Sequence, residues 1–194
     1  MGHNQDQYEI DAIINGDTRV FAILVDRYKH MVFTLAMKIL KNREEAEEVS
    51  QDVFLKVYQQ LKTFKGDSKC STWIYRIAYN RSLDYLKKQG RSLNAMTLDS
   101  AMEYQFDTHD NVLLELDVMD RKTAIRAAIG KLPENDAVII TLHYFEELSL
   151  KEISEVMSLE ANTIKVRLFR SRKRLAELLK NKLEPDMLNN YGRE

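Results

Sequence analysis

Between Lys62 and Gln89 the chain reads KTFKGDSKCSTWIYRIAYNRSLDYLKKQ, with Phe64, Trp73, Tyr75, Tyr79 and Tyr85 set among Lys62, Lys65, Lys69, Arg76 and Arg81. Cations neutralise phosphate, and flat rings offer a face on which an unpaired base can stack. Read as a helix, Trp73, Arg76, Asn80, Leu83 and Lys87 fall on one face at steps of three and four. The Asn80 amide can both donate to and accept from a base edge. Ile74, Ala78 and Tyr85 fall on another face. The plain alternative for the rings is packing in a core, and composition by itself leans that way.

A second run, ANTIKVRLFRSRKRL from Ala161 to Leu175, carries a different chemistry. At about 100° per residue Ile164, Leu168, Ser171 and Leu175 fall together and face a core. Asn162, Thr163, Val166, Phe169, Arg170 and Lys173 lie opposite them, with Lys165, Arg167, Arg172 and Arg174 on the flanks. Polar and basic side chains on the outer face reach base edges in a groove, while flanking cations hold phosphates. Val166 is the odd member. A lone exposed valine is common, and contact with a thymine methyl is the sharper reading.

Catalytic chemistry finds no support. There is no nucleophile–base pair, phosphate loop or metal-ligand spacing. The single cysteine, Cys70, cannot form an internal disulfide, and His3, His30, His109 and His143 are scattered. His143 with Glu146 and Glu147 needs only one helical turn to explain it. The sequence therefore reads as a binding protein, not an enzyme, with no cofactor.

The elements that carry these runs are helices. Six glycines and two prolines over 194 residues leave few breakers, which argues for an all-α chain. Residues 17–40 repeat apolar positions at helical steps, with Asp17 as the expected N-cap. Residues 43–61 do the same and place Glu44, Glu45, Glu47 and Glu48 early, where the helix dipole favours acids. A break at 64–71 precedes a third helix over about 72–88. Helices are then expected near 112–130, 134–145, 150–157 and 162–182. Ser149 and Glu152 form a capping box that opens the helix at 150. The tight turn at 158–161 makes the last pair a helix-turn-helix.

Charge divides the chain further. Residues 60–94 sum to +6, residues 161–182 to +7, and residues 95–120 hold seven acids with no lysine or arginine. The expected organisation is two small helical domains, 1–92 and 112–184, joined by an acidic linker at 93–111. Two basic blocks can hold two stretches of phosphate. No apolar run approaches the roughly 18 residues that span a bilayer, and Met1–Gly16 lacks the apolar core of a signal peptide. A cytoplasmic protein without membrane insertion is the expectation.

Three segments together resemble one family. AEEVSQDVFLKVYQQL (46–61), FKGDSKCSTWIYRIAYN (64–80) and LPENDAVIITLHYFEELSLKEISEVMSLEANTIKVRLFRSRKRL (132–175) are similar, in this order, to the extracytoplasmic-function (ECF) sigma factors of bacterial RNA polymerase. The likeness covers nearly the whole chain. It implies that Glu48, Gln51, Asp52 and Leu55 dock on the polymerase clamp. It implies that Phe64, Lys69, Ser71, Trp73, Arg76, Asn80 and Lys87 serve the −10 element, with the loop from Phe64 to Thr72 holding a flipped base and Asn80 behind it. It assigns Asn162, Thr163, Lys165, Val166, Arg167, Phe169, Arg170 and Lys173 to the −35 major groove. Core polymerase, promoter DNA (duplex at −35, single-stranded at −10) and an anti-sigma factor are the implied partners. The family often has a small polar residue where Val166 stands and a glycine or small residue where Asn162 stands, so base preference and docking angle can differ here. A stand-alone helix-turn-helix regulator is the competing reading. It would dimerise on a palindromic site and leave the aromatic–basic segment without a task.

Overall fold

The computed structural model describes residues 2–91 and 118–190, with side chains over 8–91 and 122–180. The acidic linker expected at 93–111 and the helical onset expected at 112 lie outside the described residues. Among those described, every regular element is helical, as the scarcity of glycine and proline requires.

The N-terminal half is a bundle of four helices. The first, α1 (Gly2–Ile14), has no strong sequence signature but buries Ile10 and Ile13. Next, α2 (Thr18–Leu40) starts where Asp17 accepts hydrogen bonds from the N–H groups of Arg19 and Val20, the expected cap. Its buried positions Leu24, Met31, Val32, Leu35, Ala36 and Ile39 follow the helical period. Asn42 caps α3 (Arg43–Gln60) by accepting from Glu45 N–H, and Ala46, Val49, Val53 and Val57 face inward. A 3-10 turn, Leu61–Thr63, ends that helix and leads into the loop that carries Gly66 at φ +74°.

The next helix, α4 (Cys70–Lys88), begins two residues before the sequence expectation. It is buried on almost every side: Trp73, Ile74, Tyr75, Ile77, Ala78, Tyr79 and Ser82 are all inside. A helix apolar around most of its circumference must be covered on several faces. Helices α2 and α3 cover one side of α4, and the C-terminal half covers another.

That half comprises α5 (Val118–Gly130), α6 (Glu134–Tyr144), α7 (Leu150–Met157) and α8 (Ala161–Asn190). Pro133 stands at the N-cap of α6, where its missing N–H costs nothing. The capping box of α7 is complete: Glu152 N–H donates to Ser149 Oγ at 3.3 Å, and Ser149 N–H donates to Glu152 Oε2 at 2.8 Å. Ser158 ends α7 in the left-handed region at φ 54°, and its N–H donates to the Ser154 carbonyl. Because α8 opens at Ala161, the turn spans three residues where the sequence indicated four, and the helix runs past the expected end at 182 to Asn190. Ile164, Leu168 and Ser171 of α8 are buried, as the angular reading requires.

One apolar cluster runs without a break from Ile10 to Leu168 and includes residues of both halves. Each domain is too small to bury a large fraction of its own surface. Contact between them, α4 on α7 and α2 on α6, supplies the rest.

Candidate nucleic-acid and partner-docking faces

Three faces can be built from these helices. The first lies on α3. Glu44, Glu48, Gln51, Leu55 and Tyr58 are exposed at steps of four, three, four and three, a seam of helix–helix packing spacing. Leu55 is 62% exposed and Tyr58 48%, with the Tyr58 ring edge-on to Phe21 at 5.0 Å, so the C-terminal end of the seam presents an apolar surface. Asp52 lies at its edge and accepts from Arg81 Nη2 at 2.7 Å, while Glu48 accepts from the Tyr85 hydroxyl at 3.2 Å. Two of the four expected docking residues are therefore held in place by α4. Tyr58 was missed by the sequence reading, although its step of three from Leu55 was the signal that could have found it.

The second face lies on α4 and the loop before it. Arg76, Asn80, Asp84 and Lys87 form its exposed stripe. The structure thus brings Arg76, Asn80 and Lys87 together and moves Trp73 off the surface, to 6% exposure. The Phe64 ring lies 5.3 Å from the Trp73 ring, so this pair floors the loop and does not offer an open platform. Ser71 is half-buried, and Lys69 stands at the N-cap of α4. Tyr75 and Tyr79 are buried in a way the sequence did not show, against the C-terminal half. The Tyr75 hydroxyl donates to Glu146 Oε2 at 2.6 Å, and the Tyr79 hydroxyl donates to Asn135 Oδ1 at 2.9 Å. Burial first, then the Glu146 carboxylate, pushes the Tyr75 phenol far above its ordinary value. Burial likewise lifts Tyr79 to about 12 against the opposing charge of Arg167. Both rings are neutral donors at any physiological pH.

The third face is the outer side of α8. Asn162, Lys165, Val166 and Lys173 are exposed, and Thr163, Phe169 and Arg170 are half-buried beside them. Val166 keeps 37% exposure. Arg167 departs from this group. Its Nε is buried without a hydrogen-bond partner, and its charge acts on Tyr79 and Asp136. Its guanidinium therefore sits toward the junction of the two halves, not on the groove-facing flank.

Two helical units in this order, one carrying the aromatic–basic loop and helix and one the helix-turn-helix, match two family models. Residues 24–92 match Sigma-70 region 2, and residues 122–175 match Sigma-70 region 4. The chain is 32% identical to the RNA polymerase sigma-H factor of Pseudomonas aeruginosa, over 92% of this chain and 96% of that one. It is 34% identical to the ECF RNA polymerase sigma factor SigW of Bacillus subtilis, over 89% of this chain and 95% of that one. The chain belongs to the ECF family of RNA polymerase sigma factors.

Solved structures share the fold. CnrH in complex with the cytosolic domain of CnrY superposes with a TM-score of 0.63 at 22% identity, covering 91% of this chain and 97% of that one. The sigma factor RpoE from Bartonella quintana, in complex with the anti-sigma factor NepR, superposes at 0.61 and 22% identity, covering 82% and 96%. In this sigma factor the seam on α3 and the stripe on α4 belong to region 2, and the outer face of α8 belongs to region 4. Among the described residues no helix is long and apolar enough to cross a membrane, and no cluster of His, Cys, Asp and Glu could hold a metal ion.

Proposed function

We propose that this sigma factor carries core RNA polymerase to promoters inside the cell, docking through the α3 seam and reading DNA at two separate faces. The observation that carries the reading is the division of labour between α4 and α8. An exposed valine among cations on α8 suits the edges of paired bases. An amide between two cations on α4, behind a loop floored by paired rings, suits an unpaired base. Glu48, Gln51, Asp52, Leu55 and Tyr58 meet the polymerase. Phe64, Lys69, Ser71, Arg76, Asn80 and Lys87 serve the −10 strand, with Trp73 shaping the loop from beneath. Asn162, Thr163, Lys165, Val166, Phe169, Arg170 and Lys173 enter the −35 groove. Arg167 supports region 4 from within. An anti-sigma protein that covers these faces would silence the factor.

The energetics require the polymerase. Extruding a base costs a few kcal/mol, and a stacking pocket returns about 1–3 kcal/mol per base. With no nucleotide-binding loop in the sequence, melting is driven by binding alone. Tethering two weak DNA modules on one enzyme raises their effective concentration. The test is run-off transcription with purified core polymerase on mapped promoters. Wild-type chain yields promoter-specific transcripts, and Asn80→Ala loses them while polymerase association persists. Failure of the wild-type chain to associate with core polymerase would refute the proposal.

A further inference from the structure

An acid of region 4 is buried against the inner side of α8. Asp136 stands in the first turn of α6 and is 4% exposed, and Ser171 of α8 is fully buried. Helix α6 packs on α8. The Asp136 carboxylate hydrogen-bonds the Ser171 hydroxyl, and Arg167, Arg174 and Arg170 act on its charge. Positions 167, 170, 171 and 174 share one side of a helix, so one acid of α6 faces a stripe of three arginines. A buried charge costs free energy that an apolar side chain of similar size would not. Packing alone therefore does not account for an acid here. Arg170 belongs to two faces. Asp136 acts on it from the inner side, and it also stands beside Val166, Phe169 and Lys173 on the outer one. We infer that Asp136 is a positioning residue for −35 reading: tied to Ser171, its carboxylate restrains the Arg170 guanidinium from indiscriminate pairing with phosphate and sets it toward a base edge. The inference rests on the assignment of the outer face of α8 to the −35 groove.

Ser171 has one hydroxyl hydrogen and two acceptors for it. Its Oγ lies 2.7 Å from the Arg167 carbonyl, one turn back on α8, and it also reaches Asp136. That carbonyl already accepts from a helix N–H, whereas a carboxylate makes the stronger, charge-assisted bond. Ionised Asp136 therefore draws the hydrogen and fastens α6 to α8 at one rotation. Burial opposes the charge of Asp136, while Arg167, Ser171, Arg174 and Arg170 favour it. Arg167 adds to this field from inside, its Nε buried without a hydrogen-bond partner. Two effects on DNA follow. A fixed negative charge behind the arginines subtracts from their attraction to every phosphate, whatever the sequence. A guanidinium held in one orientation keeps its bidentate geometry toward one base edge. The first lowers non-specific binding and the second preserves specific binding, and discrimination is the difference between them.

The experiment titrates holoenzyme, the full chain with core polymerase, against two duplexes: a mapped promoter, and the same promoter with its −35 bases scrambled. Asp136→Asn keeps the shape and an acceptor for Ser171 and removes the charge. Affinity for the scrambled duplex rises about threefold and discrimination between the duplexes falls about fivefold. Ser171→Ala keeps the charge and unties it, so discrimination falls while affinity for the scrambled duplex stays at the wild-type value. Glu177→Gln takes one negative charge from an exposed site on the same helix and leaves discrimination unchanged. Thermal melts accompany each variant. If Asp136→Asn weakens binding to both duplexes in equal proportion, or discriminates as the wild type does, Asp136 only packs α6 on α8 and the inference falls. An equal loss of discrimination in Glu177→Gln would make the effect one of overall charge and overturn it too. Where Asp136→Asn does not fold, Ser171→Ala decides, and wild-type discrimination in that variant overturns the inference. A wild-type holoenzyme indifferent to scrambling at −35 would instead refute the reading of α8 on which the inference rests.

Discussion

If the outer face of α8 reads the −35 groove as proposed, Val166 carries more of the base preference than its size indicates. It is 37% exposed in the middle of a face whose other members, Phe169 apart, are polar or basic. A methyl-bearing base matched to that side chain gains an apolar contact that serine cannot reproduce. Val166→Ser therefore relaxes preference at one −35 base pair, by about 1 kcal/mol, the low end of the roughly 1–3 kcal/mol that a good bidentate hydrogen-bonded pair discriminates. Competition binding by the holoenzyme over single-base promoter variants reads this. Uniform weakening at every position would mean that Val166 does not read a base. Residue types on α8 were legible because helical angle sorts them, and burial of Ile164, Leu168 and Ser171 followed that sorting. Arg167 was not legible. Its angle places it on a flank, but which flank faces region 2 depends on packing that no local pattern encodes. Trp73 shows the same limit, since a ring on the basic face of α4 turned inward onto Phe64.

At the scale of elements, caps and periodicity told most. Asp17, Asn42 and Ser149 each accept from early N–H groups, and the helices that follow them begin within a residue of expectation. The helix α1 escaped because its apolar positions, Ile10 and Ile13, come only at its end. Helix α3 shows what an exposed seam is for. Val49, Val53 and Val57 hold it to the bundle, Leu55 points the other way, and Tyr58 lies at the rim with its ring edge-on to Phe21. Leu55→Glu thus leaves the fold within about 0.5 kcal/mol of wild type, as expected of a surface change. It also places an unpaired charge in the expected clamp contact and lowers affinity for core polymerase at least tenfold, a loss of about 1.4 kcal/mol. Thermal unfolding alongside polymerase titration separates the two effects. A large drop in melting temperature would instead assign Leu55 to the core.

The whole molecule is held together by a continuous core and by carboxylates at its seam, and the second part is sensitive to acid. Burial by itself would raise the Glu152 carboxyl. The Lys69 ammonium and the Ser149 hydroxyl and N–H overcome this and hold it at about 2. Glu134 is lowered in the same way, burial being outweighed by Lys41. Asp136 runs against them, raised by burial despite Arg167, Ser171 and Arg174. For a carboxyl depressed in the folded state, the stabilisation is present above its unfolded value and is lost as pH falls through the folded one. Glu152 therefore stabilises the packing of the two halves fully at neutral pH and releases it progressively from about pH 4.5 toward pH 2, and Glu134 acts in the same direction. Asp136, raised, favours the folded state as pH falls and only softens the decline. Because the Lys69 pair sits at a solvated rim, its share is roughly 1 kcal/mol after screening. The wild-type chain should show a flat melting temperature around neutrality and a fall below about pH 4.5. Glu152→Gln should start slightly lower at neutral pH and fall less steeply, since the group that titrates has been removed while the cap remains. Circular dichroism melts from pH 7 to pH 3 in constant salt measure both slopes. Parallel curves for the two proteins would show that the acid response arises elsewhere, and that Lys69 and Glu152 do not bind the halves together in solution.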